Sequence, residues 1–229
     1  MSSRRADSRK VPSRRGGGRP SRAQSAELGE RILDIATDEF LTHGYGATSI
    51  GAIAARAQIS KRTFYHRFHD KPALFGAVVH RIIERLRPPA DISLIEGADL
   101  RQILQRLAGI ILRAALSAQA LALHRLIVAE SARFPRLAAV VAQQGGTEEA
   151  VRLIAGQLAR EVRAGKLAAD ASTFAAQQFI YMVIALPQRR AMGLGKPMTG
   201  REIDHWARDV VDLFLTGWRG WSGKSALAN

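Results

Sequence analysis

Apolar residues recur at helical spacing along most of this chain, and the densest pattern lies in residues 48–71, which read TSIGAIAARAQISKRTFYHRFHDK. Ile50, Ile53, Ala54 and Ala57 fall at i, i+3, i+4 and i+7, one apolar face of a helix of about three turns. Thr48 or Ser49 supplies its cap. Alanines at 52, 54, 55 and 57 keep that helix thin enough for another to cross it closely. Ser60 then caps a second helix over 60–68, with Phe64 and Phe68 pointing inward at i and i+4. Lys61, Arg62, Thr63, Tyr65, His66 and Arg67 are left on its outer faces. Two short helices joined by a turn, the second capped and dense in donors, is the layout of a helix-turn-helix, which places its second helix in a major groove.

The flanking pattern supports that layout. Residues 25–43 carry the stripe Leu28, Ile32, Ile35, Ala36, Phe40 and Leu41, closed by Gly44. Asp70 caps a helix over 72–87 with Pro72 in its first turn, and Pro88 with Pro89 stops it. Further helices are expected at 99–116, 118–132, 135–144, 147–164, 171–192 and 200–219, with breaks at Phe134–Pro135, at the Gly145–Gly146 pair, at Gly165 and between Gly193 and Pro197. No stretch alternates at period two. The expected fold is all-α with about nine or ten helices: a small three-helix helix-turn-helix domain at 25–71, then a larger helical bundle over 72–229.

Charge adds a third region. The chain has 229 residues and a net charge of +14. Residues 1–24 hold eight basic residues and one acidic, residues 25–71 hold six of each, and the rest of the excess is spread over 72–229. The first 24 residues, rich in Arg, Ser, Gly and Pro, cannot bury enough apolar surface to offset ordering and are expected to be a disordered arm. Within them Gly18, Arg19 and Pro20 resemble an AT-hook core, in which Arg19 enters a narrow minor groove; the plainer reading is a solubilising arm. So basic a balance favours nucleic acid as partner.

Residues 25–75 resemble the DNA-binding domain of the TetR family of transcriptional regulators, through HGYGATS, IAARAQIS, TFYHRF and the Lys at 71. Two positions depart from the family pattern: Gln58 stands where a turn glycine is usual, at a cost of roughly 1 kcal/mol, and Arg67 stands where His is frequent. The resemblance implies a regulator, most often a repressor, that binds a double-stranded DNA operator as a homodimer and is released by a small-molecule effector. Lys61, Arg62 and Thr63 are expected nearest base edges, with Ser60 and His66 beside them; Thr48, Tyr65, Arg67 and Lys71 are expected on phosphates. The bland alternative for Lys61, Arg62 and Arg67 is a solvated charged face. In the later part, RLIVAESARFPRLAAVV resembles the C-terminal domain of one group of these regulators.

In that part, Phe174, Phe179, Met182, Val183 and Leu186, with Trp206, Val210, Leu213 and Phe214, run nearly all round their helices and are expected at the dimer interface, although burial on two sides within one chain would also explain them. His124 and Gln102 are polar exceptions on apolar helices and are candidates to line a pocket for an apolar or aromatic effector, although a lone His on such a helix is more often a satisfied core or surface residue.

Other classes are poorly served. The chain has no Cys, no catalytic motif such as G-x-S-x-G or H-E-x-x-H, and no phosphate loop, so neither enzyme, metal nor cofactor is expected. No apolar run reaches roughly 18 residues and no apolar core follows the N-terminal charges, so the expected location is cytoplasmic, on the nucleoid, without a membrane. The competing reading is a basic architectural protein that coats DNA without sequence preference and has no effector.

Overall fold

The computed structural model describes residues 21–87, 99–143, 146–165 and 172–220, with side chains to 217. Arg19, the rest of the arm to residue 20 and the connection at 88–98 lie outside the described residues. Ten α-helices and no strand occur among the described residues: α1 (Arg22–Ala47), α2 (Ile50–Arg56), α3 (Lys61–Tyr65), α4 (Lys71–Leu86), α5 (Leu100–Ala115), α6 (Ala118–Glu130), α7 (Arg136–Gln143), α8 (Gly146–Arg163), α9 (Ser172–Ala191) and α10 (Gly200–Gly220).

Most boundaries follow from caps. Ser49, Ser60, Asp70, Asp99 and Ser117 each accept from a backbone N–H in the first turn of the helix they precede. α1 starts earlier than its apolar stripe suggests, because Ser21 and Gln24 close a capping box; residues 22–24 therefore belong to a helix and not to the arm. Gly44, at φ 85°, breaks α1 into a long rod and a short C-terminal turn. α3 is shorter than the expected 60–68, with His66 as its C-cap.

Two apolar cores hold the molecule. The first gathers Ile32, Phe40, Tyr45, Ile53, Phe64, Leu74, Phe75 and Val78 with Leu123 and Leu126 of α6 and Leu137 of α7. α4 thus packs with the helix-turn-helix, and the head's core continues past residue 71 into α6. The second core is built from α5, α8, α9 and α10, with Leu104, Leu112, Ile154, Leu158, Phe179 and Val211 fully enclosed. α9 carries Pro187 in its interior. Proline has no N–H to give the Val183 carbonyl one turn back; the indole Nε1 of Trp206 on α10 donates to that carbonyl instead, at 2.8 Å.

Candidate nucleic-acid interface

The recognition element is small and held from behind. Phe64, fully buried, is its one buried residue and lies 5.6 Å from Phe68. Ser60 Oγ accepts from Thr63 N–H at 3.1 Å and shares a 2.9 Å hydrogen bond with Thr63 Oγ1. Ser60 and Thr63 therefore fix the first turn, and Lys61, Arg62, Tyr65 and His66 remain exposed on the outer faces. Gly51 on α2 leaves room for Lys61, whose Cε would lie 3.4 Å from a Cβ at that position.

The turn before α3 closes as a Schellman motif: Ile59 N–H donates to Ala54 and Gln58 N–H to Ala55, each at 3.0 Å. Gln58 sits at φ 55°, the only left-handed non-glycine among the described residues. The family's glycine preference is a backbone demand that this chain meets with Gln.

Three expected phosphate ligands are engaged inside the protein. Thr48 is buried, and its hydroxyl donates to the Gly44 carbonyl at 2.8 Å and the Glu39 carbonyl at 3.1 Å, pinning the α1–α2 corner. Its one hydroxyl proton, expected on a phosphate, is here used inside the chain. Arg67 is half-buried and donates through Nη2 to the Ser25 carbonyl and to Ser25 Oγ, tying the end of the recognition element to the first turns of α1. Lys71 is half-buried at the start of α4; Nζ donates to the Gly46 carbonyl at 3.4 Å and lies 4.3 Å above the Tyr45 ring. Burial, with Arg133 nearby, lowers its pKa from the usual lysine value, and Glu130 partly offsets this. Its ammonium still lies at the edge of the helix-turn-helix.

Further ties orient the head. Arg56 on α2 bonds Glu39 at 2.6 Å and Asp38 at 2.8 Å on α1, and the Glu39 contact chiefly raises its pKa. Arg81 on α4 is buried against α1, donating to the Glu30 carbonyl at 3.0 Å and to the Asp34 carboxylate. None of these pairs shows in local periodicity, since each joins two different helices.

The expected dimer residues divide. Phe179, Val183, Val210 and Phe214 lie in the second core, where burial within one chain accounts for them: α5, α8 and α10 pack against α9 but leave its Phe174 and Tyr181 outside. Met182, Leu186 and Trp206 are half-buried. Phe174 and Leu213 are exposed, at 48% and 65%, and Tyr181, one helical repeat from Phe174, is 63% exposed. Tyr181 was findable by its i+7 spacing from Phe174.

Gln102 is exposed in the first turn of α5 and His124 is half-buried on α6, and neither lines a described depression. One depression, about 650 Å³, lies between α4 and α7 at Ala73, Gly76, His80 and Val140. Another, about 580 Å³, lies beside α10 at Met198, His205 and Trp206. No group of His, Asp and Glu suited to a metal ion occurs among the described residues, and no single described helix is long and apolar enough to cross a membrane.

Two family models match. Residues 32–78 fit the bacterial regulatory proteins of the tetR family, and residues 102–219 fit the C-terminal domain of AefR-like transcriptional repressors. The solved structure of the flavonoid-responsive regulator FrrA is similar over 85% of this chain and 98% of its own, at 29% identity and a TM-score of 0.72. A TetR-family regulator from Mesorhizobium loti is similar over 86% and 98%, at 28% identity and 0.69. An HTH-type transcriptional repressor of Mycobacterium tuberculosis is 32% identical over 100 residues, 35% of this chain and 53% of that one, so the chain spans about half the length of this curated relative.

Proposed function

Because the chain belongs to the TetR family of regulatory proteins, we propose that it binds a DNA operator as a homodimer, represses transcription there and is released by a small-molecule effector. The observation that carries the DNA reading is α3: a capped element fastened by Phe64, with Lys61, Arg62, Tyr65 and His66 all turned outward. Arg and Lys reach guanine edges in a major groove, and a tyrosine hydroxyl reaches phosphate. With Thr48 and Arg67 engaged internally, Lys71, Tyr65 and the exposed cations carry the phosphate contacts.

The exposed stripe of Phe174 and Tyr181 on α9, with Leu213 on α10, is the proposed dimer face. A two-fold pair of heads fits two half-sites one helical turn apart. An apolar or aromatic effector is supported by the resemblance to FrrA, described as flavonoid-responsive, and its binding would act through α4 and α6, which pack in the head's core. Such binding shifts the head only by its different affinity for the two states. The proposed location is the cytoplasm, with the DNA.

Selection of genomic fragments by the full chain at about 150 mM salt tests this, since phosphate contacts alone hold weakly there. A recovered palindrome with half-sites about one turn apart is the expected result. Recovery of random fragments refutes the operator reading in favour of non-specific coating.

A further inference from the structure

The Gly46 peptide is gripped from both sides by residues of different parts of the chain. Its N–H donates to the two carboxylate oxygens of Glu130 at 2.9 and 3.2 Å, and its carbonyl accepts from Lys71 Nζ at 3.4 Å. Glu130 is the last residue of α6, 84 positions away. Tyr45 beside this peptide carries the Lys71 ammonium on its face and meets Phe134, just past α6, edge-on with ring centres 5.1 Å apart. The fit is tight: a Cβ at Gly46 would stand 3.1 Å from Glu130 Oε2 and 3.2 Å from Phe134 Cε2. Two and three residues further on lie Thr48, which pins the corner, and Ser49, which caps α2.

We infer that Glu130 is a positioning residue for the DNA-reading head, coupling the placement of α6 to the Gly46 peptide, Lys71 and the start of α2. The inference rests on the operator reading above and adds the contact through which the two parts communicate. An N–H bound to a carboxylate is a strong, directional hydrogen bond. α6 is a 13-residue rod whose Leu123 and Leu126 sit in the head's core, so it moves as a unit. A slide of about 1 Å carries the carboxylate beyond hydrogen-bond range of the amide. Gly46 then loses its anchor while Lys71 loses its countercharge. Coupling of this kind is reciprocal: DNA seated on Lys71 must steady α6 as α6 steadies the head.

Hydrogen exchange of the full chain, read by mass spectrometry with and without a recovered operator fragment, tests it without knowledge of the effector. In the wild type, DNA is expected to slow exchange over residues 118–134 as well as over 46–65. In Glu130→Ala the slowing over 118–134 is expected to vanish and affinity to fall about tenfold. Glu130→Gln, which keeps an acceptor of the same shape, is expected to retain part of both and decides the matter should the alanine variant unfold. Slowing over 118–134 that persists unchanged in Glu130→Gln and Glu130→Ala, or that the wild type lacks while binding tightly, overturns the inference. A wild type that retains no DNA at all refutes the head's reading instead, a separate result.

Discussion

Replacing Trp206 by Phe removes one N–H donor from the junction of α9 and α10, and its cost can be reasoned from the structure. The Val183 carbonyl faces a turn where Pro187 has no N–H, and Trp206 supplies the 2.8 Å hydrogen bond in its place. Val183 is fully buried, so the carbonyl has little water to turn to. Stranding a buried acceptor costs about 1–3 kcal/mol, and any Trp to Phe change adds a packing loss from the smaller ring. Pro187→Ala separates the two parts, because it restores the N–H that helical geometry aims at the Val183 carbonyl. In that background Trp206→Phe should cost only the packing part, giving a coupling of about 1–2 kcal/mol between the two positions. Urea unfolding followed by circular dichroism, at one fixed protein concentration so that assembly does not shift the midpoint, measures all four corners of the cycle. Additivity within about 0.5 kcal/mol would mean that the indole does not substitute for the missing proline donor.

Other expectations follow from single contacts. Gln58→Gly relieves a left-handed residue, about 1–2 kcal/mol, and frees the unfolded chain, which offsets about 0.4–1 kcal/mol; a small net rise in Tm is expected, and a fall would show that the Gln58 side chain contributes more than its backbone costs. Gly44→Ala should destabilise by at least about 1 kcal/mol, since φ is 85° and a Cβ there meets Glu130 Oε1; thermal unfolding reads it. Leu213→Asp should shift the sedimenting species from dimer toward monomer while leaving far-ultraviolet dichroism unchanged. Lys61→Ala should relax base preference in a measured sequence logo, whereas Tyr65→Phe should weaken all sequences alike; a logo unchanged by Lys61→Ala removes Lys61 from the base-contacting set.

Local rules made the helices and the motif legible. Ser60 and Asp70 were readable as caps because a cap depends on three or four consecutive residues, whereas the left-handed turn at Gln58 was expected only from the glycine usual there in the family, since Gln itself carries no such sign. What stayed hidden depends on neighbours that no period announces. Thr48 reads as an outward hydroxyl until the Gly44 break folds α1 back over it. Arg67 reads as a phosphate ligand until α1 brings Ser25 alongside, 42 positions away. The apolar girth of α9 marks burial from several sides but cannot say whether the covering helices come from the same chain, and for Phe179 and Val183 they do. Glu130, the acidic end of a helix, carries no local sign that its partner is a glycine amide in the head.

α3 spans five residues, with Phe64 alone buried. So short a helix has no stability of its own in water, and its shape is lent by the cap, the Schellman turn and the core beneath. The exposed positions 61, 62, 65 and 66 therefore contribute little to folding, and substitutions at them should fall within about 0.5 kcal/mol. On the proposed reading, sequence preference and stability are inherited through different residues: a lineage of such proteins is free to change what it reads at positions 61, 62 and 66 while keeping the scaffold, and a designer can retarget the head by the same route.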